Sequence, residues 1–350
     1  MTQIAILGAG SWGTALSVVL SHARKPHDIA LWARSAELAE TLQRHRENKT
    51  YLANVHLPDS IRATHDMARA LSGTQIVVGA IPSIHARTVY NQALPYVTPE
   101  MVFVSTTKGI EPETHLRMSL VLGEVLARAG TEPPSQRIAV LSGPSFAAEA
   151  ARGEPTAVVI ASNNAYTPLS VGLRRYSQLA EELQEELSGP SFRLYTNDDV
   201  LGVELAGAMK NVIAIAAGAC QGLGLGANPL AALITRGLAE MMRLASALGA
   251  RPETLSGLAG LGDLVLTCTG ALSRNRHVGM QLGKGRKLHE ILAEMRMVAE
   301  GVDTAAPLLA LAREHGIDMP ITEQVDAILH RGQSPKEAIR EIMDRPLKRE

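Results

Sequence analysis

The feature of this sequence that most constrains its fold is a glycine-rich turn directly after an apolar N-terminal run. Residues 4–7 are all apolar, and the pattern G-x-G-x-x-G follows at Gly8, Gly10 and Gly13. In a strand–turn–helix unit the first glycine permits a tight turn, the second lets the backbone approach a pyrophosphate, and the third allows close helix packing. The helix N-terminus then attracts the phosphates. Glycines can also mark an ordinary turn, but this position after a strand favours a dinucleotide-binding unit.

Length and composition limit the classes of protein that need to be considered. The chain has 350 residues, 46% of them hydrophobic, which is enough for about two domains. Its formal net charge of −1 gives no global reason to expect nucleic acid or an anionic membrane as a partner. The two cysteines, Cys220 and Cys268, lack metal-ligand spacing and are typical of reduced thiols. We therefore expect a cytoplasmic protein without a metal.

We expect neither a signal peptide nor a membrane-spanning helix, because glycine and strand residues occupy the first ten positions and the chain shows no apolar run of the roughly 18 residues that a span needs. Short apolar runs instead alternate with helical stretches through the first half, and a last strand is expected at residues 192–196. These runs lack polar alternation, as parallel strands buried on both faces do. They lie at residues 29–32, 76–81, 102–105, 138–141 and 157–160. The pattern predicts an α/β Rossmann-type doubly wound sheet.

The pattern changes near residue 197, after which helices dominate. Residues 198–222 are apolar almost all round, which indicates a buried helix. Further helices are expected at 229–248, 287–295, 302–315 and 320–331, and Ser334 with Glu337 forms a capping box before a last helix. We predict a dinucleotide-binding Rossmann-like domain at 1–196, an all-α substrate-binding and catalytic domain at 197–344, and a polar tail at 345–350.

Polar residues follow several of the predicted strands. Arg34 follows the second strand, where an acidic residue would hold the ribose 2′-hydroxyl of NAD, so an arginine favours NADP. A solvated surface arginine is the alternative. Lys108, Gly143 and Ser145 follow the fourth and fifth strands, at the edge where ligands bind in open α/β sheets.

The second half contains one pronounced anomaly, Lys210 followed by Asn211 inside the apolar helix. A buried lysine without a partner is costly. It snorkels to a helix edge, or it acts as a general acid or base with a pKa lowered by nearby positive charge. Asp263 follows a glycine-rich stretch that we expect to be a flexible loop, and Thr267 follows one helical turn later.

Two further groups of polar residues lie beyond this point. Ser273, Arg274 and Asn275 combine hydroxyl, guanidinium and amide donors, which suit a phosphate monoester, although a solvated helix start has the same composition. Glu300 lies in an apolar turn, where it either hydrogen-bonds a cofactor or caps the next helix.

Several long segments of the sequence resemble bacterial NAD(P)-dependent glycerol-3-phosphate dehydrogenases. They are GAGSWGTAL, TTKGIE, LSGPSFA, GVELAGAMKNVIAIAAG, ITRGLAEM, GLAGLGDLVLTCT, SRNR and MVAEG, and the resemblance runs from residue 4 to about 329. It implies a homodimer that interconverts dihydroxyacetone phosphate and sn-glycerol 3-phosphate with NADP(H) or NAD(H). It also implies that the product supplies glycerophospholipid biosynthesis.

The resemblance also assigns roles to residues. Lys210 is implied as the proton-transfer residue, and we expect Lys108 to add positive charge and Asp263 to orient Lys210. The implied cofactor contacts are Gly8, Gly10, Ser11, Trp12, Gly13, Arg34, Tyr51, Lys108, Ala147, Arg274, Val298 and Glu300. The expected substrate contacts are Lys108, Gly143, Ser145, Lys210, Asn211, Asp263, Thr267, Ser273, Arg274 and Asn275. The alternatives are another β-hydroxyacid or sugar-phosphate dehydrogenase of the same plan, and a non-catalytic NAD(P)-sensing protein.

Overall fold

A computed structural model describes residues 1–128, 137–163 and 178–347 of the chain. Residues 348–350 of the predicted polar tail lie outside the described residues. Tertiary contacts divide the chain into two compact units. The first unit comprises Met1–Lys108 and Leu116–Glu204, and the second comprises Gly109–His115 and Leu205–Glu350. The functional domain boundary at residue 197 stays a prediction.

The first unit is built on a sheet to which eight strands of the described ranges contribute. Its strands are β1 (Thr2–Leu7), β2 (His27–Trp32), β5 (Ile61–Thr64), β6 (Ile76–Gly79), β7 (Val102–Ser105), β8 (Ile138–Ser142), β9 (Thr156–Ser162) and β10 (Phe192–Asn197). A separate hairpin consists of β3 (Glu47–Asn48) and β4 (Leu52–His56).

The order of the strands explains why the turn after β1 is a ligand-binding position. The sheet runs β10-β9-β8-β7-β6-β1-β2-β5, so the chain proceeds outward from β1 on one side and from β6 on the other. Ile4 pairs in register with Ile29 of β2 and with Ile76 of β6, both parallel. The order reverses beside the carboxyl end of β1, and such switch points bind ligands in open α/β sheets.

One pair of strands departs from the expected parallel arrangement. β8 and β9 are antiparallel, with Leu141 opposite Ile160, whereas β9 and β10 are parallel again. A run that is apolar throughout indicates burial on both faces but carries no information about strand direction. The sheet is therefore mixed, and the expectation of a wholly parallel sheet was wrong at this pair.

Helices cover both faces of the sheet, which confirms the doubly wound architecture. They are α1 (Ser11–Ser21), α2 (Ala36–His45), α3 (Met67–Leu71), α4 (Ser83–Ala93), α5 (Met118–Ala127), α6 (Ala147–Ala151) and α7 (Gln178–Leu187). Alternate residues of β1 enter opposite cores: Ile4 and Ile6 pack in one apolar cluster, and Ala5 in the other. Because successive side chains of a strand point to opposite faces, burial of all of them requires a layer on each side.

The described part of the second unit is helical. Its elements are α9 (Ala227–Ala247), α10 (Pro252–Ser256), α11 (Asp263–Thr269), α12 (Arg274–Gly283), α13 (Leu288–Glu294), α14 (Glu300–Glu314), α15 (Pro320–His330) and α16 (Pro335–Met343), and most of α8 (Val200–Gly222) belongs to it. α8 is long and apolar enough to cross a membrane, but 94% of its most apolar window is buried in the protein, as in a core helix.

Two helices of this unit approach each other to backbone contact. A Cβ added at Gly218 of α8 would lie 1.9 Å from the carbonyl oxygen of Arg276, and one at Gly279 of α12 would lie 1.9 Å from that of Ile215. Only glycine fits at either position. This contact holds α12 against the C-terminal half of α8, which begins just after Lys210.

Candidate active site

The glycine turn after β1 has the geometry that its sequence pattern predicts. Gly8 has φ +115°, and a Cβ there would lie 2.4 Å from the carbonyl oxygen of Ala80. A Cβ at Gly13 would lie 1.8 Å from the oxygen of Gly8, so the turn closes on itself without room for a side chain. Gly10 differs, because within the described ranges no atom beyond the glycine and its two chain neighbours lies within 4 Å of the position its Cβ would take. That open space at the start of α1 lets a ligand reach the helix amides.

The residues around the turn fit a bound dinucleotide. The indole Nε1 of Trp12 is buried and has no hydrogen-bond partner among the described residues, and buried donors normally have one. The hydroxyl of Ser11 donates to the carbonyl oxygen of Tyr51 at 2.7 Å. Ala147, at the start of α6, is partly buried and packs against the same apolar core as Trp12.

Arg34 lies two residues beyond β2 and is exposed to solvent. The next residue, Ser35, is the N-cap of α2 and accepts from the amide of Leu38 at 3.3 Å. The first acidic residue after the strand is Glu37, inside the first turn of α2. The end of β2 therefore presents a cation where an NAD-specific site has a carboxylate.

The ends of β7 and β8 bring Lys108, Gly143 and Ser145 together. The ammonium of Lys108 donates to the carbonyl oxygen of Gly143 at 3.1 Å, and the hydroxyl of Ser145 donates to the same oxygen at 3.0 Å. Gly143 has φ +141°, and a Cβ there would lie 2.9 Å from the Cα of Val158. The cation and the hydroxyl are thus held by a backbone carbonyl whose position depends on glycine.

The second unit contains a buried cluster of Lys210, Asp263 and Thr267. The ammonium of Lys210 donates to Oδ1 of Asp263 and to Oγ1 of Thr267, each at 2.8 Å. The Thr267 hydroxyl donates to the backbone oxygen of Asp263 at 2.6 Å. These bonds place a carboxylate against the ammonium of Lys210. The positive charge that we expected near Lys210 stays a prediction.

A short π-helical turn, Leu258–Gly262, sets the position of Asp263. The amide of Gly262 donates to the carbonyl oxygen of Gly257 at 3.1 Å, and a Cβ at Gly260 would lie 2.0 Å from the oxygen of Leu255. The glycine-rich stretch is therefore an ordered helical turn, and the expectation of a flexible loop was wrong. Such π-turns frequently occur at functional sites.

A second polar network joins α8, α12 and α14. The side-chain amide of Asn275 donates to Oδ1 of Asn211 at 2.8 Å, and its own oxygen accepts from the amide of Gly301 at 2.9 Å. Asn211 donates in turn to the carbonyl oxygen of Gly207. Asn275 is buried, and it fixes the start of α14 and the start of α12 relative to the helix that carries Lys210.

The remaining predicted residues of this unit surround that network. Ser273 is the N-cap of α12, and its hydroxyl accepts from the amide of Arg276. Arg274 is exposed, although the protein atoms around it lower the pKa of its guanidinium, an effect that the Glu300 carboxylate opposes. Val298 is half-buried just before α14.

The structure thus collects the predicted residues into groups within each unit. The first unit holds the glycine turn with Ser11, Trp12 and Tyr51, and separately Lys108 with Gly143 and Ser145. The second holds the lysine cluster and the asparagine network. Sequence reasoning missed Asn48, a wholly buried residue that contacts the glycine turn. It lies in a polar segment that is typical of a surface loop, so no local signal marked it.

A Rossmann-type unit with an open glycine turn, followed by a helical unit with a buried lysine–carboxylate pair, defines the class of two-domain nicotinamide-dependent dehydrogenases. Among the described residues no group of three or more His, Cys, Asp or Glu side chains could hold a metal ion. Family models match residues 3–167 as the N-terminal part of NAD-dependent glycerol-3-phosphate dehydrogenase and residues 199–340 as its C-terminal part. The chain belongs to the NAD-dependent glycerol-3-phosphate dehydrogenase family.

Individual relatives agree with this assignment over almost the whole length. The chain is 52% identical over 347 residues to the glycerol-3-phosphate dehydrogenase [NAD(P)+] of Koribacter versatilis, covering 99% of this chain and 98% of that protein. It is 49% identical over 350 residues to that of Acidobacterium capsulatum, covering 99% of each. The crystal structure of glycerol-3-phosphate dehydrogenase from Coxiella burnetii superposes with a TM-score of 0.88 at 41% identity, covering 98% of this chain and 99% of that one.

Proposed function

We propose that this protein reduces dihydroxyacetone phosphate to sn-glycerol 3-phosphate, and catalyses the reverse reaction, with NADP(H) or NAD(H). The observation that carries the proposal is the buried Lys210, held by Asp263 and Thr267 inside a mostly apolar helix. Burial of a lysine costs free energy of folding, and a buried ion pair with a purely structural role stabilises the fold little more than apolar side chains in its place would. A proton-transfer role gives this pair a function.

Lys210 acts as the general acid in the reduction. As the ketone oxygen gains negative charge, the ammonium stabilises it and transfers a proton to it. In the oxidation the same nitrogen, deprotonated, removes the proton from the hydroxyl. Asp263 accepts one N–H bond of Lys210 and Thr267 accepts a second, so Lys210 is oriented before the substrate arrives.

Bound NAD(P)H supplies the hydride that is added to the carbonyl carbon of the substrate. The glycine turn and the first-turn amides of α1 would hold its pyrophosphate, and Nε1 of Trp12, which has no hydrogen-bond partner among the described residues, would offer a further donor. Arg34 would pair with a 2′-phosphate, so NADPH would be accepted. Tyr51, Ala147, Arg274, Val298 and Glu300 complete the proposed cofactor contacts.

The substrate phosphate is bound by residues at the start of α12. Arg274 provides a guanidinium whose two parallel N–H bonds match phosphate oxygens, and Ser273, Asn275 and Asn211 lie in the same region. The first turn of a helix also favours an anion. Lys108, together with Gly143 and Ser145, adds positive charge and donors for the polarised carbonyl end.

Three finer properties belong to the same proposal. The protein works in the cytoplasm, supplies glycerol 3-phosphate for glycerophospholipid synthesis, and is a homodimer. Support for the dimer comes from apolar side chains exposed in the second unit, namely Leu225, Leu261 and Val265, which are 37–41% exposed. Light scattering on the purified chain measures its oligomeric state, and a monomer at micromolar concentration would refute the dimer.

The reaction itself is tested by following nicotinamide absorbance with the purified protein. We expect NADPH and NADH to be oxidised with dihydroxyacetone phosphate, and much more slowly with unphosphorylated dihydroxyacetone. The same assay with oxidised cofactor and either 6-phosphogluconate or 3-hydroxyisobutyrate tests whether the protein acts on the substrates of related dehydrogenases. Turnover of either of these, without turnover of dihydroxyacetone phosphate, would refute the proposed substrate. Cofactor binding without any turnover would indicate a sensor protein.

A further inference from the structure

The β3–β4 hairpin lies outside the main sheet, yet it contacts the glycine turn at two points. It spans residues 47–56, directly after α2. Its Asn48 is wholly buried in the structure, although the sequence around it is polar. A short two-stranded hairpin is only marginally stable by itself, so its place in the fold depends on such contacts.

Asn48 bonds to both sides of the glycine turn. Its side-chain amide donates to the carbonyl oxygen of Ala9 at 3.0 Å and to Oγ1 of Thr14 at 2.8 Å. Ala9 lies within the G-x-G-x-x-G pattern, and Thr14 directly follows it, in α1. One amide group therefore fixes the distance between the two ends of the segment that contains Gly10 and Gly13.

The hairpin in turn holds Asn48 in place. Oδ1 of Asn48 accepts from the amide of Tyr51 at 3.2 Å, and the carbonyl oxygen of the same tyrosine accepts from the hydroxyl of Ser11 at 2.7 Å. The first bond lies within the hairpin and orients Asn48, and the second connects the turn between β3 and β4 to the first residue of α1. The hairpin is therefore bonded to the segment of the glycine turn through the side chain of Asn48 on one partner and the side chain of Ser11 on the other.

A glycine-rich segment has more backbone freedom than any other, and a ligand that orders it must overcome that freedom. Bonds that order the segment beforehand lower this cost and tighten binding. We propose that Asn48 is a positioning residue for the dinucleotide: it holds the segment 8–14 in its binding geometry in the absence of ligand. The inference rests on the proposed use of this turn for the cofactor.

The test measures dinucleotide affinity and backbone protection separately from turnover. NADPH is titrated into the purified chain while nicotinamide fluorescence is recorded, and hydrogen exchange of residues 8–14 is followed without cofactor. The variants are Asn48→Ala, Thr14→Val, which removes the acceptor of one bond, and Thr14→Ser, which keeps it. The matched control is Glu47→Ala, which removes the bond from the Asn54 amide within the hairpin and leaves the glycine turn untouched.

We expect Asn48→Ala to raise the NADPH Kd about tenfold or more, and to speed exchange in residues 8–14. Thr14→Val should raise the Kd by a smaller factor, and Thr14→Ser and Glu47→Ala should leave it within about twofold. If Asn48→Ala does not fold, the Thr14 pair decides the question. The kcat at saturating cofactor should stay within about twofold, because the proton-transfer residues are unchanged.

Two results would overturn the inference. One is a lowered melting temperature in Asn48→Ala with unchanged Kd and unchanged exchange, which indicates a purely structural role. The other is an equal Kd for Thr14→Val and Thr14→Ser. If the unmodified chain itself binds neither NADPH nor NADH, the proposed function fails as well, so the two failures are distinguishable.

Discussion

The ammonium of Lys210 lies 2.8 Å from Oδ1 of Asp263, and the two side chains are only 8% and 2% exposed. A pair so well shielded depends on both members, because removal of one leaves an uncompensated charge in the interior. Loss of Asp263 should therefore have two separate effects: it lowers the free energy of unfolding, and it lowers kcat because Lys210 is no longer oriented.

A charge-removal series separates these two consequences. Asp263→Ala should lower the free energy of unfolding by about 3–5 kcal/mol, whereas the double variant Lys210→Met with Asp263→Leu should recover most of that loss. Both variants should have a strongly reduced kcat for dihydroxyacetone phosphate. Urea unfolding curves and kcat, measured on the same preparations, check the prediction. Wild-type stability in Asp263→Ala, or a double variant as unstable as the single one, would contradict it.

Arg274 is expected to bind the substrate phosphate. Arg274→Ala removes a charge-assisted pair of hydrogen bonds worth about 1.5–3 kcal/mol, so the KM for dihydroxyacetone phosphate should rise about 10- to 100-fold. At saturating cofactor, which offsets any loss of the cofactor contact also proposed for Arg274, the rate with unphosphorylated dihydroxyacetone should hardly change, since that substrate lacks the phosphate. Steady-state kinetics with both substrates provide the measurement, and an unchanged KM for the phosphorylated one would remove Arg274 from this role.

Arg34 should decide between the two cofactors. Arg34 is exposed just after β2, and the first acidic residue that follows it in the sequence is Glu37. Its guanidinium can therefore pair with a 2′-phosphate. Arg34→Ala should lower kcat/KM for NADPH about tenfold or more and leave that for NADH within about twofold. Equal losses with both cofactors, or a strong NADH preference of the unmodified chain, would count against this assignment.

Glu240 links the stability of the second unit to pH. It is 1% exposed, and its carboxylate accepts from the amides of Ile321 and Thr322 in the first turn of α15. Burial raises the pKa of Glu240 from 4.5 to about 7, although these bonds and the charge of Arg243 oppose the shift. The folded chain therefore holds this proton more tightly than the unfolded chain does.

Its contribution to stability is consequently largest below pH 4.5 and is lost as the pH rises through about 7. The slope is at most about 1.4 kcal/mol per pH unit. Glu240→Gln should flatten the stability profile between pH 5 and 7 relative to the unmodified chain. Urea unfolding at several pH values in that range shows the difference, and parallel profiles for the two proteins would refute the assignment.

Much of the fold was predictable because local patterns specify it. The apolar runs located seven of the eight strands that the described ranges contribute to the main sheet, but they missed β5 and the β3–β4 hairpin. The long, mostly apolar stretch located α8 within two residues of its observed start. The capping box was confirmed in detail: the Ser334 side chain accepts from the amide of Glu337, whose carboxylate accepts from Ser334. Such a cap is formed by residues three positions apart, so the local sequence is enough to predict it.

The features that were missed depend on tertiary contacts. The direction of β9 follows from how the chain returns after β8, which an apolar run does not encode. The π-turn before Asp263 forms because Gly260 packs against the backbone of Leu255, whereas glycines in sequence indicate a loop equally well.

The candidate site shows the same division. The chemical types of Lys210, Asp263 and Arg274 drew attention to them, but the bond from Asn275 to Asn211 joins residues 64 positions apart. Likewise, nothing in the polar segment around Asn48 predicted that its side chain is buried against Ala9. Sequence identifies reactive groups, and the structure identifies the residues that orient them.

The central claim is that Lys210 transfers the proton to the substrate oxygen. Its most direct test is the kcat of Lys210→Ala for reduction of dihydroxyacetone phosphate at saturating substrate and cofactor, after cofactor binding has shown that the variant is folded. The account predicts a loss of at least about 100-fold, the lower range for removal of a general acid. A kcat close to that of the unmodified chain would contradict it.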